Sequence, residues 1–313
     1  MKKAGTIGHR SIISLIAVTL LLGGCVTSSG ADPGKVQTTE QTVELGAAGT
    51  VRAELDAKTG ADLIIRDGGS SLLDTKLTYN ESLKPDVSYT VSETLGMLTI
   101  VQPASQNLNS RKLDNEWDLR FGPVVPVDLT VNVTSGNTTL DLAQLRLSTL
   151  NVDTSSGSLN ASIRGNQEEL KSIDVSTTSG AIGLTLNGRF TSLQTLSLSE
   201  SSGNISLATS GNFAALSSLQ IKDTSGNTTL DLAGSWGHDL ESTIRTSSGN
   251  VTIKLPSNVG VRVMTSVSSG NVAATGLHLE DGAYVNDAYG TSPVTLTFDI
   301  KVASGNITLS LGG

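Results

Sequence analysis

Apolar and polar residues alternate along most of this chain, and the alternation is arranged around a recurring Ser-Gly-Asn turn. Counted from the serine of each turn, the sixth and fourth residues before it and the third and fifth residues after it are mostly Leu, Ile or Val. Ser, Thr, Asp, Asn and Lys fill the positions between them. Because an apolar residue at every second position is typical of a strand with one buried face, each copy predicts two β-strands joined by a tight turn.

The turns recur at a nearly constant spacing, which predicts a repeating architecture. The spacings between consecutive turn serines are 21, 23, 23, 23, 23, 21 and 35 residues, and the serines are Ser135, Ser156, Ser179, Ser202, Ser225, Ser248, Ser269 and Ser304. A hairpin meander fits each copy, but the recurrence of identical positions every 23 residues favours stacked copies of one unit. We therefore predict an all-β fold, a β-solenoid similar to a parallel β-helix, with two strands in each coil.

The glycine of each turn is predicted to belong to the scaffold and not to a binding site. Glycine and asparagine both tolerate the positive φ angles that tight turns require. The eight turn glycines are Gly136, Gly157, Gly180, Gly203, Gly226, Gly249, Gly270 and Gly305. Function is instead expected where the repeat is interrupted, either near Trp236 or within the 35-residue interval between Ser269 and Ser304.

Trp236 lies in an excursion between two coils, and two interpretations of it stay open. Its ring could be an exposed contact for a partner, which makes it a candidate site residue. Its ring could equally fold onto the rod as the side chain of a loop, with no role in binding.

Residues 42–126 are less regular, and we predict that they form an N-terminal β cap. Short alternating segments bounded by Gly, Asp or Asn predict strands at Leu72–Tyr79, Val87–Val91 and Met97–Gln102. The turn at Lys58–Ala61 is interpreted as a degenerate early copy of the repeat, because terminal repeats are usually atypical.

The repeat region itself is predicted to occupy residues 127–313. Its last strand, Ile307–Leu311, is followed by two glycines. Because no further copy of the repeat follows in the sequence, we expect this strand to form an exposed edge of the solenoid.

The N-terminus resembles the signal of a bacterial lipoprotein. Basic residues precede an apolar run, Ile12–Leu22, and small residues then lead to Cys25, the one cysteine in the sequence. The segment Leu22–Cys25 resembles a lipobox, which implies cleavage between Gly24 and Cys25 and attachment of acyl chains, including palmitate, to the cysteine. An uncleaved transmembrane anchor is the weaker alternative, because the apolar run is too short to span a bilayer easily.

These features predict where the protein resides and how it is held there. Residues 1–24 are the predicted signal peptide, and residues 25–41 combine the lipidated cysteine with a flexible tether rich in Ser and Gly. We therefore expect a protein that is anchored by lipid to the extracytoplasmic face of the cell membrane. Cys25 is its predicted lipidation site.

The charge of the chain limits its partners. The net charge is −8, and loss of the three basic residues of the signal peptide would change it to −11. An acidic body argues against nucleic acid as a partner, and against broad contact with anionic lipids or anionic wall polymers. The expected partners are the membrane, through Cys25, and an envelope protein or polymer that the sequence does not identify.

Residues that could support catalysis or hold a metal are scattered. Of the two histidines after the signal peptide, His238 and His278, only His278 lies near acidic residues, and a surface loop explains that arrangement better than a metal site. Asp153 and Asp223 lie at different positions relative to their turns, so they do not resemble the paired carboxylates of a polysaccharide-cleaving enzyme. We therefore predict no catalytic residue, no metal and no cofactor.

Two stretches of the sequence resemble known families. Asn115–Phe121, followed by Pro126–Leu129 and Leu140–Leu142, resembles the N-terminal toast-rack domain of bacterial envelope proteins. The stretch from Pro256 onward, which ends with Ser304–Ile307, resembles the putative-adhesin family and the C-terminal domain of LiaF-type envelope-stress proteins. Together the two resemblances cover most of the chain that follows the predicted tether.

The resemblance implies a β-solenoid at the cell envelope and implies no catalytic residues. LiaF-type proteins carry transmembrane helices before this domain, whereas this chain carries a predicted lipid anchor. The leading hypothesis is a non-enzymatic envelope lipoprotein whose rigid solenoid serves surface adhesion or binds an envelope component. The alternative is a regulator or sensor of envelope stress that acts on a membrane partner, and a polysaccharide-cleaving enzyme is a remote alternative.

Overall fold

The computed structural model describes residues 32–103 and 113–312, and almost all regular structure in them is β-strand. No helix in these two ranges is long and apolar enough to cross a membrane. The predicted signal peptide, its cleavage site between Gly24 and Cys25, and the lipidation of Cys25 lie outside the described residues. Those features of the N-terminus therefore stay predictions.

The strands fall into two groups along the chain. The first group is β1 (Val36–Val43), β2 (Thr50–Ala57), β3 (Asp62–Asp67), β4 (Leu73–Asn80), a 3-10 helix (Glu81–Leu83), β5 (Asp86–Ser92), β6 (Leu95–Val101), β7 (Asn115–Phe121), β8 (Val127–Val133), β9 (Thr138–Leu142), β10 (Leu147–Ser156), β11 (Leu159–Asn166), β12 (Ser172–Ser179) and β13 (Ile182–Phe190). The second group is β14 (Thr195–Glu200), β15 (Ile205–Thr209), β16 (Asn212–Phe213), β17 (Ser218–Ser225), β18 (Thr228–Asp231), β19 (Ser235–Trp236), β20 (Leu240–Ser248), β21 (Val251–Pro256), β22 (Gly260–Ser269), β23 (Val272–Thr275), β24 (His278–Glu280), β25 (Ala283–Val285), β26 (Thr295–Ser304) and β27 (Ile307–Gly312).

These strands form two long sheets that face each other across the core. In sheet 1 the spatial order is β1-β4-β7-β3-β9-β11-β13-β15-β18-β21-β27-β23, with β16 beside β13 and β19 beside β16. In sheet 2 the order is β24-β25-β22-β26-β20-β17-β14-β12-β10-β8-β2-β6-β5. Successive coils place one strand in each sheet, parallel and in register, so the predicted β-solenoid with two strands per coil is confirmed.

The predicted apolar positions line the interior. Leu150, Ile173 and Leu196 are direct neighbours on three consecutive strands of sheet 2, and all three are buried. Full burial of one such side chain stabilises a fold by about 1.5–3 kcal/mol. Because every coil repeats these positions, the buried side chains form one continuous core between the two sheets.

The N-terminal end of the solenoid is closed by antiparallel strands. β2 and β3 continue the two sheets beside β8 and β9, and the turn between them joins the ladder of turns, because the N–H of Ala61 donates to the carbonyl of Ser135. The interpretation of this turn as an early copy of the repeat is confirmed. β6 and β7 lie farther out, where antiparallel β5 covers β6 and antiparallel β4, followed by β1, covers β7.

The flexible tether is shorter than predicted. Residues 36–41, predicted as tether, belong to β1, which pairs antiparallel with β4 from Val36 opposite Asn80 to Val43 opposite Leu73. The segment is rich in Val and Thr, which favour strands, and the outer edge of β4 supplies its hydrogen-bond partners. The tether prediction is therefore wrong from Val36 onward.

The coils at the C-terminal end are not stacked in the order of the sequence. β26 and β27 lie between the coil β20–β21 and the coil β22–β23. The prediction of an exposed edge at Ile307–Leu311 is therefore wrong, because β27 is paired on both sides and β23 is the outer strand. The long interval between Ser269 and Ser304 permits this insertion, since it holds the β24–β25 hairpin and a segment that returns to the inserted coil.

Asn286 fixes the segment that returns to the inserted coil. Its buried side chain accepts a hydrogen bond from the N–H of Val261 at 2.9 Å and donates one to the carbonyl of Val259 at 2.7 Å. Both bonds go to backbone groups at or just before the start of β22, so the return segment is tied to the coil that the insertion displaces.

The turn glycines allow the coils to stack closely as well as to turn. A Cβ atom on Gly157 would overlap the carbonyl oxygen of Gly136, and the contact continues through the other turns. At the C-terminal end it follows the spatial order, since Gly305 lies on Gly249 and Gly270 lies on Gly305. Gly157 also has a φ of 122°, a conformation that other residues rarely adopt. The structure thus assigns these glycines to the scaffold.

The asparagines of the turns add hydrogen bonds between coils. Asn204 Oδ1 accepts the N–H of Asn227 at 2.9 Å, and Asn227 Oδ1 accepts the N–H of Asn250 at 3.1 Å. The ladder continues from Asn250 through Asn306 to Asn271. The amide side chains of these turns therefore have structural partners within the rod.

Candidate functional site

Trp236 is an interior residue. Its indole stacks on Phe213 at a centroid distance of 5.1 Å, and Phe213 stacks on Phe190 at 5.2 Å, so three rings from successive coils form a column. Only 6% of Trp236 is exposed. The interpretation of Trp236 as an exposed contact is therefore wrong, because the ring folds onto the rod. The 23-residue spacing of these three aromatic residues was the signal that predicts the column.

The histidines considered for metal binding lie apart on the surface. His238 and His278 are both exposed. His278 faces Glu280 at 3.7 Å through Nε2 and Asp287 at 3.7 Å through Nδ1. Within residues 32–103 and 113–312, no group of three or more His, Cys, Asp and Glu side chains is placed to hold a metal ion.

Asp153 and Asp223, the carboxylates considered for polysaccharide cleavage, lie on opposite faces of sheet 2. Asp153 is exposed and accepts a hydrogen bond from the hydroxyl of Ser176. Asp223 is buried in the interior. The two carboxylates are therefore not arranged to act on one glycosidic bond.

Asp223 instead pairs with Glu200, which sequence reasoning missed. The two residues are register partners on β14 and β17, and each is only 1% exposed. The N–H of Ser202 donates to Glu200 at 2.5 Å, and the hydroxyl of Thr228 donates to Asp223 at 3.0 Å. Glu200 and Asp223 are hereafter named the carboxyl pair.

Burial controls the ionisation of the carboxyl pair. Desolvation, together with the neighbouring charge of Asp223, raises the pKa of Glu200 to about 7. Burial also raises the pKa of Asp223. Because two close carboxylates do not ionise independently, the pair retains a proton at mildly acidic pH. Both side chains are closed off from solvent, so the pair acts on the stability of the solenoid and not on a substrate.

The repeat contains a signal for the carboxyl pair. The equivalent interior position, two residues before the turn serine, is held by Thr154, Thr177 and Thr246 in neighbouring coils. A carboxylate at a position where other coils place a buried threonine predicts a buried ionisable group. Alignment of the coils by position, and not only by their turns, therefore predicts it.

The outer face of sheet 2 carries a row of three basic side chains. Lys222, Arg245 and Lys301 are successive register partners on β17, β20 and β26. Neighbouring strands lie about 4.8 Å apart, so the three cations follow one another along the rod at that backbone spacing. Lys222, Arg245 and Lys301 are hereafter named the basic row.

A single carboxylate balances the basic row. Asp299 contacts Arg245 at 2.5 Å and Lys301 at 3.6 Å, whereas Lys222 forms no ion pair within the described part of the chain. Like charges on directly neighbouring strands destabilise a sheet, by up to about 1 kcal/mol for each pair. A row that costs stability, in a chain whose net charge is −8, indicates a surface for an anionic partner.

The register row that contains the basic row changes sign along the rod. Toward the N-terminal end it holds Asp56 and Asp153, and then the two uncharged residues Ser176 and Ser199 before Lys222. The net charge of the whole chain conceals this separation. The expectation that the chain avoids broad contact with anions therefore concerns the whole surface and does not describe this local row.

The fold defines a class of protein, a parallel β-solenoid of two sheets with antiparallel strands at one end. Residues 32–187 match the family model described as the N-terminal domain of toast_rack, DUF2154. The chain therefore belongs to the toast-rack family, as the resemblance of Asn115–Phe121 implied. The match crosses the predicted boundary between residues 126 and 127 and includes β8 to β12 of the repeat.

Solved structures with a related fold have low sequence identity to this chain. A putative cell adhesion protein from Clostridium sporogenes ATCC 15579 is 20% identical, with 89% of this chain and 100% of that chain covered and a TM-score of 0.38. A putative adhesin from Bacteroides fragilis NCTC 9343 is 12% identical, with 88% and 97% covered and a TM-score of 0.34. A putative lipid binding protein from Parabacteroides distasonis ATCC 8503 is 9% identical, with 89% and 97% covered and a TM-score of 0.30. No curated protein shows significant sequence similarity, and these structural similarities are too distant to inform function.

Proposed function

We propose that this protein is a non-enzymatic lipoprotein of the cell envelope whose rigid solenoid binds an anionic envelope component and thereby serves adhesion. The basic row is the observation that supports this function most directly. In this proposal Cys25 carries the lipid anchor at the extracytoplasmic face of the membrane, and the solenoid presents sheet 2 to its partner. The alternative function, regulation of envelope stress, stays a prediction.

The geometry of the basic row suits a linear polyanion. Its cations project from a sheet whose coils are held in register by backbone pairing and stacked glycines. Lys222 offers an unbalanced charge, whereas Arg245 and Lys301 share Asp299. A polymer with a carboxylate or phosphate on each unit can contact several of these cations at once, and such multiple contacts raise the overall affinity. The acidic remainder of the surface would confine binding to the row.

Reversal of charge in the basic row is expected to weaken the binding of such a polymer. The double variant Lys222→Glu and Lys301→Glu replaces attraction by repulsion at both ends of the row. We expect the affinity for alginate, a polyuronate, and for polyphosphate to fall by about tenfold or more, which corresponds to about 1.4 kcal/mol. Isothermal titration calorimetry at low and at physiological salt measures the loss, since salt screens exposed charges.

The matched control for this experiment changes two exposed cations outside the basic row. Lys171→Glu with Arg189→Glu alters the net charge by the same amount and leaves the row intact. The control should bind both polymers as the wild type does. Equal weakening in the two double variants, or no binding by the wild type, would argue against the basic row as the binding surface.

The lipid anchor is tested separately from the binding surface. Replacement of Cys25 by serine removes the thiol that would accept the lipid, so the variant should leave the membrane fraction of a bacterial host. Cell fractionation measures this change, and mass spectrometry of the wild type should detect the acyl chains. A Cys25→Ser protein that stays with the membrane would refute the anchor, whereas the basic-row variant should remain in the membrane fraction.

A further inference from the structure

We infer that the C-terminal end of the solenoid is an interface at which two copies of this chain pair edge to edge. The outermost coil at this end is β22–β23, and its outer edge consists of Met264–Ser269 and Val272–Thr275. These two segments are hereafter named the open end. The inference does not depend on the proposed ligand of the basic row.

The backbone of the open end has no neighbour on its outer side within residues 32–103 and 113–312. β23 ends sheet 1 and pairs with β27 alone. β22 pairs with β26 along its whole length, but β25 covers its other edge only at Arg262 and Val263. From Met264 onward, the outward N–H and C=O groups are therefore available to another strand.

The ladders of the turns also stop at the open end. The N–H of Gly305 donates to the carbonyl of Ser269, as the glycines of the earlier turns donate to the coil that follows them in space. Asn306 Oδ1 accepts the N–H of Asn271 at 3.0 Å. The described chain places no further coil beside Gly270 and Asn271. The repeat thus ends with donors and acceptors aligned for continued pairing.

The interior side chains of the open end are incompletely covered. Val267 and Val272 occupy the interior rows that Val302 and Ile307 occupy in the neighbouring coil. Val302 and Ile307 are buried, whereas Val267 and Val272 are only partly buried. Met264, on the outer face, is 37% exposed. Another solenoid end placed against this edge would remove apolar surface from water.

The open end lacks the residues that normally keep exposed edges apart. The segment from Met264 to Thr275 contains no charged residue and no proline, although exposed edge strands usually carry one or the other. The opposite end differs, because its outer strands β1 and β5 carry Glu40 and Asp86. The sequence therefore protects one end of the rod and leaves the other end able to pair.

A second copy of the chain is the occupant that fits this end. Two chains of net charge −8 approach each other with least repulsion where charge is absent, and the open end is uncharged. A two-fold axis normal to the sheets reverses the rod and its strands together and keeps each sheet on its own side. β22 then meets β22 of the second copy antiparallel, and β23 meets β23, which is the self-complementary geometry of most homodimers.

This arrangement determines the shape of the dimer. β1 lies at the end of the rod opposite to the open end, so the two copies of β1 would lie at the two far ends of the particle. The dimer would be nearly twice as long as one copy. Side-by-side association through either sheet would leave the length almost unchanged, so length distinguishes the two arrangements.

The test uses residues 25–313 with Cys25→Ser, so that neither lipid nor a disulfide contributes to association. The described residues of this fragment share one continuous core, which supports its folding without the preceding segment. Sedimentation velocity from about 1 μM to about 200 μM should show a monomer that becomes a dimer. Small-angle X-ray scattering should show that the maximum dimension nearly doubles with the mass.

Charge placed on the open end is expected to separate the copies. Met264→Lys with Ala273→Lys puts two outward-facing cations on each copy, and we expect the dissociation constant to rise by about tenfold or more. The matched control, Ser88→Lys with Thr90→Lys, adds the same charges to β5 at the opposite end and should leave the dimer intact. Thermal unfolding followed by circular dichroism verifies that both variants fold.

Any of three results would overturn this inference. One is a wild-type chain that stays monomeric over the whole concentration range. Another is a dimer that is no longer than the monomer, which would indicate side-by-side association. The third is a dimer that both double variants weaken equally, or that only the control variant weakens.

Discussion

Deletion of residues 295–313 is expected to unfold the coil that precedes them in the sequence, and not merely to remove the last one. β26 and β27 separate the coil β22–β23 from the coil β20–β21. Without them β22 and β23 lose the strands that they pair with in the body of the rod. We therefore expect residues 260–275 to become disordered in the shortened chain, and the remaining solenoid to unfold at a lower temperature.

The expected loss is large because the deletion removes a whole interior layer. Phe298, Ile300 and Ile307 are completely buried, and full burial of each such side chain stabilises by about 1.5–3 kcal/mol. Hydrogen exchange measured by mass spectrometry should show that residues 260–275 lose protection while residues 127–231 keep it. Retained protection of residues 260–275 would mean that the coils stack in sequence order, contrary to the structure.

A point substitution tests the same layer if the shortened chain aggregates. Ile300→Asp places a carboxylate in the interior of the inserted coil and should lower the free energy of unfolding by more than about 3 kcal/mol. Thr297→Asp is the matched control on the outward side of the same strand, where substitutions usually change stability by about 0.5 kcal/mol or less. Urea denaturation of both full-length variants measures the difference.

The stability of the solenoid is expected to fall as the pH rises from about 4.5 to about 7, because of the carboxyl pair. The pKa of Glu200 is about 7 in the folded chain, against an ordinary value of 4.5. Between these values the folded chain holds a proton that the unfolded chain has lost, so a rise in pH favours unfolding. The contribution is fully present below the unfolded pKa and is lost as the pH passes the folded pKa. Its size is on the order of 2 kcal/mol.

Glu200→Gln isolates this effect from the other carboxylates. The amide keeps the shape of the side chain and can donate to Asp223, as a protonated carboxyl does. The variant should be more stable than the wild type at a pH of about 8, by on the order of 2 kcal/mol, and its stability should depend less on pH. Urea denaturation across the range from about pH 4.5 to about pH 8 measures both quantities.

The control for the pH experiment is an exposed carboxylate on the same sheet. Glu54 faces outward from β2, so Glu54→Gln should leave the dependence of stability on pH close to that of the wild type. If Glu200→Gln and the wild type gave parallel curves of stability against pH, the carboxyl pair would not titrate as argued. A curve flattened equally by Glu54→Gln would lead to the same conclusion.

Local alternation was sufficient to predict the strands and turns, because it depends only on which face of a strand is buried. The predicted segments Leu72–Tyr79, Val87–Val91 and Met97–Gln102 differ from β4, β5 and β6 by one or two residues at each end. The turn at Lys58–Ala61 also follows from its local sequence. These features need no knowledge of which coil lies beside which.

The order of the coils does need that knowledge. Every coil presents similar apolar rows, so the pattern alone lets any coil stack on any other, and only the 35-residue interval indicates an exception. For this reason Ile307–Leu311 looks like an edge in the sequence, although β27 is internal. The strand at Val36–Val43 escapes for a related reason, since its partner β4 lies more than 30 residues away and completes an otherwise weak pattern.

The candidate site divides in the same way. Lys222 and Arg245 are one repeat apart, so their alignment follows from the period, and the same holds for Glu200 and Asp223. Lys301 joins the basic row only because its coil is inserted beside β20. Its place in the row is therefore a property of the tertiary fold that no local pattern contains.

The inserted coil also has a consequence for the order in which this chain can fold. From β8 to β21, each new coil can add to the one before it as the chain is made. β22 and β23 have no such template, because the place beside β20 and β21 belongs to β26 and β27. Domains of this size often fold through partly structured states, and here one such state has a coil that is complete but unattached. The solenoid therefore closes late, with strands that the ribosome supplies after the coil they secure.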